Sequence, residues 1–322
     1  MMSPCPCIRS RYIIEDECPR MKRQSAKYEA FLVMSGFIWG TSFVSVKIGV
    51  GTVDPFLFSV LRFALGAAVL VLALIVLRRM DTRVFKDKLI WGIAIVNAAA
   101  LEFQHLGMTM TTATSAVLLV DIDVVFIAIL AAIVLGERIT RRTVAGLVLG
   151  LAGVTVITTN GDVSSILSGS FIGNAMVFTA GVLWTFYVVY QKKVLVREKD
   201  VLMVTGAVIL ETAIILVPLA LMFAQSYAVD GSGLMSALYT GLICTGLAFL
   251  LYNTGLKAVG ATIASIILLL EIVFAMLFAF LLLGETPTAI TAFGGGLIIL
   301  AILVISFNGN GASVPSGQGS ND

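Results

Sequence analysis

The chain has 322 residues, 59% of them hydrophobic and only 12% charged, with a mean hydropathy of +1.03 and a formal net charge of +2. Apolar content this far above that of a soluble domain excludes a water-soluble globular protein, and the small net charge excludes a nucleic-acid binder built on a basic surface; what remains is an integral membrane protein.

In chain order, residues 1–28 read MMSPCPCIRSRYIIEDECPRMKRQSAKY, polar and mixed in charge, without the apolar stretch of a cleaved signal peptide, and suit a cytoplasmic tail. Met21 opens a short basic lead, MKRQSAKYEA, and is a second place where translation could begin. Cys5, Cys7 and Cys18 are too few for a zinc site, which usually shows four ligands in paired spacings. Because a bilayer core takes roughly 20 apolar residues per helix, ten spans are expected, at about 30–50, 56–77, 89–108, 113–135, 143–160, 171–190, 201–224, 234–253, 261–283 and 289–307. Short links rich in Gly, Pro, Thr, Asn and Asp make neighbours antiparallel, and residues 308–322 form a flexible low-complexity tail.

With the N-terminus inside, every basic residue except Lys47 and Arg62 falls in the tail or in the inner loops, from Arg78 and Arg79 through Arg141 and Lys192 to Lys257. That asymmetry puts both termini in the cytoplasm.

A shift of 148 residues lays ATSAVLLVDIDVVFIAILAAIVLGERITRRTVAG, from Ala113, on ATIASIILLLEIVFAMLFAFLLLGETPTAITAFG, from Ala261, and a shift of 145 lays Gly36, Trp39 and Lys47 on Gly181, Trp184 and Lys192. The expected fold is all-α: ten transmembrane helices as two five-helix repeats, 29–160 and 171–307. Five being odd, the second copy enters from the opposite side, and the basic GERITRR against the Lys- and Arg-free GETPTAI agrees. Inverted repeats with a midplane site are the architecture of many secondary transporters.

FIWGTSFVSVKIG, DPFLFSVLRFALGA, LGERIT, VLWTFYVVYQKK, LYTGLICTGLAFLLYNTGLKAVGATIAS and LLGETPTAITAFGGGLII together make the chain similar to the drug/metabolite transporter superfamily, specifically its EamA-type ten-helix permeases, over residues 30–307. The resemblance implies a central cavity lined by helices one to four and six to nine, helices five and ten at the periphery, and passage of a small metabolite across the plasma membrane. The family pattern carries a proline midway along helices four and nine; Val124 and Ile272 stand there, which argues against kinks at those points.

Four acids lie at membrane depth. Asp121, Asp123, Glu211 and Glu271 fall roughly 12 to 17 Å from a membrane face at ~1.5 Å per residue, where a charge costs roughly 2.5 to 3.5 kcal/mol unless it faces a wet cavity, is paired or is protonated. The repeat lays Asp123 on Glu271 as a pair across the pseudo-two-fold axis; Asp121 falls on Leu269 and, two residues from Asp123 on a helix, is expected to point away from it. Lys47 and Arg62 are candidate partners for an acid or a solute carboxylate. Glu102 and His105, three residues apart, are expected to form a pair that could relay protons. Trp39 and Trp184 are candidate cavity rings, Glu137 and Glu285 read as structural helix-end residues, and the glycines of GLVLGLAG and FGGGL as close helix packing.

The reading is a secondary transporter for an amino acid, amine or related zwitterionic or cationic compound, with proton coupling and export of cationic drugs as alternatives. A membrane enzyme lacks a nucleophile-base set or metal cluster in the sequence, and a receptor or scaffold is the remaining class. No cofactor, metal or nucleic acid is expected; the partners are a small solute, the lipid bilayer and, in the coupled version, protons.

Overall fold

The computed structural model describes residues 19–111, 119–162, 170–198, 200–283 and 287–306, and among these residues it is helical with no β-strand. Cys5, Cys7, Cys18, Glu285 and the C-terminal tail lie outside the described residues, as does the side chain of Lys47.

The helices are α1 (Pro19–Thr52), α2 (Pro55–Val76), α3 (Lys88–Met110), α4 (Asp123–Leu135), α5 (Arg141–Thr159), α6 (Phe171–Glu198), α7 (Val201–Phe223), α8 (Gly231–Val259), α9 (Ala261–Leu268 continued by Leu270–Leu283) and α10 (Ala289–Ser306). Eight helical stretches among the described residues are long and apolar enough to cross a membrane: α2, α3, α5, α6, α7, α8, α9 and α10. α1 begins at Pro19, inside the segment read as a tail, because the Arg, Met, Lys, Gln and Ala that follow are good helix formers and proline suits a first helical position.

Polar residues between the apolar runs are mostly helix caps. Asp54, Asp87, Asp200 and Asp230 accept hydrogen bonds from the amides of Phe56, Leu89, Met203 and Gly233 at 3.0, 2.8, 3.2 and 2.8 Å, and Thr140 accepts from Thr143 at 3.1 Å. Outside the spans, the Ser232 hydroxyl and the Gly233 amide bonded to Asp230 hold its carboxyl below the usual carboxylate range.

Each of the first five helices packs chiefly on the last five: α1 on α8 and α9, α2 on α7 and α8, α3 on α6 and α7, α4 on α6 and α9, and α5 on α10. Exchanging each helix with the one five later leaves this pairing scheme unchanged. The α5–α10 crossing is set by glycines: a Cβ added at Gly153 would lie 2.7 Å from the Gly294 carbonyl oxygen, and one at Gly294 2.8 Å from that of Gly153. Gly153→Val is therefore expected to lower stability by about 1–3 kcal/mol, the usual penalty of overpacking, seen as a lower unfolding temperature of the detergent-purified protein; an unchanged midpoint would refute the close crossing.

Two helices are interrupted without proline. Residues 119–121 are helical, Ile122 is a turn, and α4 proper starts at Asp123; α9 is interrupted at Leu269. Bonds tighten to three-residue spacing at both places: Val125 N–H to the Ile122 carbonyl at 3.1 Å, and Ile272 N–H to the Leu269 carbonyl at 3.2 Å. The expectation of unbroken helices at these points is corrected, because packing rather than proline interrupts them. Glycines on the opposing helices bring the backbones together there: a methyl at Gly40 of α1 would sit 2.9 Å from the Glu271 carbonyl oxygen, and one at Gly181 of α6 2.9 Å from that of Val120.

Candidate functional site

The two interruptions bring acids together. Asp121 and Asp123 flank the break in α4 and Glu271 follows the break in α9; all three are half-buried, and their charges lie close enough to repel one another. Asp121 nonetheless lies within electrostatic reach of Asp123 and Glu271, so the expectation that it stands apart from them is corrected, although Ile122 keeps right-handed helical angles. One Asp121 oxygen, Oδ2, is buried without a hydrogen-bond partner among the described residues. Among the described residues none of the three acids forms an ion pair.

Around them stands an aromatic group from three helices. Trp39 of α1 packs on Phe249 and Tyr252 of α8, with ring centroids 5.1 and 5.3 Å apart, and Tyr187 of α6 packs on Trp184 at 5.2 Å and Phe249 at 6.4 Å. The Trp39 indole donates to the Cys244 carbonyl at 2.8 Å. That acceptor is available because α8 loosens into a π-helical stretch over Thr240–Leu247, where bonding reaches one residue further and the regular ladder is disturbed. Trp39 and Trp184 thus belong to one aromatic group, joined through Phe249 and Tyr187. The Tyr187 and Tyr252 hydroxyls were not singled out from sequence, because the expected spans 171–190 and 234–253 put both tyrosines near a span end, where aromatic residues collect.

The remaining candidates form a separate cluster. Arg62 donates from Nε to Thr245 Oγ1 at 2.9 Å and among the described residues forms no ion pair. His105 Nδ1 lies 3.1 Å from Ser59 Oγ, whose hydroxyl also bonds the Pro55 carbonyl at 3.0 Å. The expected Glu102–His105 pair is corrected: His105 turns to Ser59 on α2, and the buried Glu102 carboxyl, which forms no ion pair among the described residues, has the same Ser59 hydroxyl beside it. Three-residue spacing puts two side chains on one face, and here the neighbouring helix decides which partner each takes. Glu102 borders a cleft of about 280 Å³ with Phe56, Phe103, Leu106, Met176 and Phe223. Glu211 is buried with both oxygens unbonded, on α7, which packs on α2, α3 and α8, so it stands apart from the three acids.

At the end of the molecule that carries the basic loops, two further side chains lock the turn between α8 and α9. Gly136, at φ 69°, ends α4 in the left-handed region and directs Glu137 away from the helix. The Glu137 carboxylate accepts from the amides of Ala261 and Thr262 at 2.6 and 3.1 Å and from the Thr262 hydroxyl at 2.8 Å. Lys192, 2% exposed, donates from Nζ to the carbonyls of Leu256 and Lys257 at 2.7 and 2.6 Å. Gly260, at φ 99°, makes the turn between them. Nearby, Arg79 pairs with Asp200 at 3.1 Å and Arg197 with Asp87, joining the α2–α3 and α6–α7 links.

Comparison with known proteins agrees with this architecture. A solved structure 21% identical matches with a TM-score of 0.76 over 88% of this chain and 97% of its own, which shows the fold alone. A protein of Archaeoglobus fulgidus described as an uncharacterized transporter is 29% identical over 282 residues, spanning 86% of this chain and 96% of its own length. The uncharacterized transporter YyaM of Bacillus subtilis is 25% identical, over 86% of this chain and 93% of that protein. The profile of the EamA-like transporter family matches twice, over residues 26–159 and 171–307, and the chain belongs to that family of multi-pass membrane transporters.

Proposed function

We propose that the chain is a secondary transporter that moves a small amino acid, amine or related zwitterion across the plasma membrane by alternating access between two inverted five-helix repeats, with both termini in the cytoplasm. The observation that carries the substrate class is an unneutralised separation of charge: Asp121, Asp123 and Glu271 gather at two helix breaks without a cation, and Arg62 takes a hydroxyl rather than an acid, among the described residues. Ionisable groups at membrane depth are costly without a partner, so a solute bringing an ammonium to the acids and a carboxylate to the guanidinium completes both. Arginine suits the second task because its planar fork meets a carboxylate with two parallel bonds.

The pairing scheme, unchanged by exchange of the two sets of five helices, and the double family match support the repeat reading. In it, breaks in α4 and α9 sit at equivalent depths on either side of the axis, and the two halves rock about the bound solute. The acids can also take up protons between solute cycles, which couples flux to a proton gradient.

The test is counterflow in proteoliposomes loaded with a panel of amino acids and amines. Saturable exchange of at least one amino acid supports the reading; none with any member of the panel overturns it. Arg62→Gln is expected to lower exchange of amino acids by ~10-fold or more, the worth of a charge-assisted bond, while leaving simple amines within about twofold. Equal losses for both would remove the carboxylate role of Arg62 and favour the exporter of cationic compounds.

A further inference from the structure

Tyr187 and Tyr252 are 1% and 2% exposed, and among the described residues neither hydroxyl has a hydrogen-bond partner. A buried hydroxyl left unbonded costs about 1–3 kcal/mol, and buried tyrosines usually find a partner. Phenylalanine would fill the same space without that penalty, so two such hydroxyls side by side call for a group that arrives from elsewhere.

Their position says which group. Tyr187 lies on α6 beyond Gly181, the glycine set against the break in α4, and Tyr252 packs on Trp39, the neighbour of Gly40, the glycine set against Glu271 at the break in α9. Phe249 touches both Trp39 and Tyr187 and holds the two tyrosines on one wall. The Tyr252 hydroxyl lies within electrostatic reach of Tyr187, Asp123 and Glu271. Tyr252 is thus the meeting point: the Tyr187 hydroxyl lies to one side of it and the pair of carboxyls to the other, from four helices in all.

We infer that Tyr187 and Tyr252 are specificity-determining residues whose hydroxyls, with Asp123 and Glu271, accept the three N–H bonds of a primary ammonium group and so select primary amines over quaternary ones. This rests on the transporter reading above. A primary ammonium has three donors, one for each hydroxyl oxygen and one for the Asp123–Glu271 pair of carboxyls. A trimethylammonium has none: it could lie on the rings of Trp39 and Phe249 by cation–π attraction, but both hydroxyls would stay unbonded. The selectivity thus comes from hydrogen bonds that the wrong ligand cannot make, the strongest kind of discrimination a site can build.

The experiment uses the full chain in proteoliposomes, as wild type, Tyr187→Phe, Tyr252→Phe and the double variant, with two matched probe pairs: hexylamine against hexyltrimethylammonium, and L-leucine against its N,N,N-trimethyl derivative. KM and maximal rate are measured for each by counterflow, and unfolding temperature for each protein. Wild type is expected to take the primary member of a pair with a KM ~10-fold or more below that of its trimethyl analogue, the ratio expected when bonds to a charged donor are lost. Each Phe variant should raise the KM for the primary member ~10-fold, leave that for the trimethyl member within twofold, and unfold no lower than wild type, since an unpaired buried hydroxyl has been removed. Variants that keep the wild-type preference, or lose both members of a pair equally, overturn the inference while the transporter reading stands. A wild type that moves the trimethyl member as readily as the primary one overturns it too, as does one that moves none of the four; only failure with the whole panel of amino acids and amines overturns the transporter reading as well.

Discussion

Asp123→Asn and Glu271→Gln together are expected to abolish solute exchange, lowering its maximal rate by ~100-fold or more, with each single variant losing ~10-fold or more. The size follows from what an ammonium loses when a carboxylate in a largely desolvated place becomes an amide: a charge-assisted bond worth roughly 1.5–3 kcal/mol for each acid. Neither substitution changes volume much, and both relieve repulsion among Asp121, Asp123 and Glu271, so the protein should insert and purify normally. Asp121→Asn shares the same space but has no repeat mate, and a smaller loss, ~3- to 10-fold, is expected of it on the same scale. Initial rates at saturating solute, normalised to protein inserted in the vesicles, check all of these. Wild-type rates in the double variant would mean that the acids serve packing alone.

The second large effect is expected at the turn between α8 and α9. Glu137→Ala removes the acceptor of three hydrogen bonds from Ala261 and Thr262, two of them to orphan amides at a helix start, and should destabilise the protein by about 2–4 kcal/mol. Lys192→Met keeps the length of the side chain but leaves the Leu256 and Lys257 carbonyls without their donor, at about 1–3 kcal/mol. Thermal unfolding in detergent measures both. Glu137 reaches from α4 to α9, so its loss should also open the basic end: a cysteine placed at Thr262 should react with a water-soluble maleimide several-fold faster in the Glu137→Gln background. Unchanged stability and labelling would reduce the observed bonds to a surface ornament.

Much of this was legible in the chain. Apolar runs of spanning length mark the helices, because hydrocarbon must be met by apolar residues along an entire span. The glycines of GLVLGLAG and FGGGL do meet, at Gly153 and Gly294. The interruptions at Ile122 and Leu269 were not legible, since no residue there breaks a helix on its own; they arise where Gly40 and Gly181 let α1 and α6 approach, a property of residues some 60 to 230 positions away in sequence. Glu102 and His105 were correctly put on one face, yet Ser59 on α2 decided the partner. Tyr187 and Tyr252 looked like packing because sequence carries no sign of whether a hydroxyl will find an acceptor.

The interleaving of the two halves bears on how the chain is made. Each of α1 to α5 finds its main neighbours among α6 to α10. During synthesis the first half therefore enters the bilayer with its inward faces uncovered, and α1 waits until α8 and α9 have been translated before its glycine face closes on Glu271. Neither half is expected to fold by itself: residues 19–159 made alone should stay loosely packed and be degraded, and the same piece made beside a separate 171–307 fragment should be rescued by it.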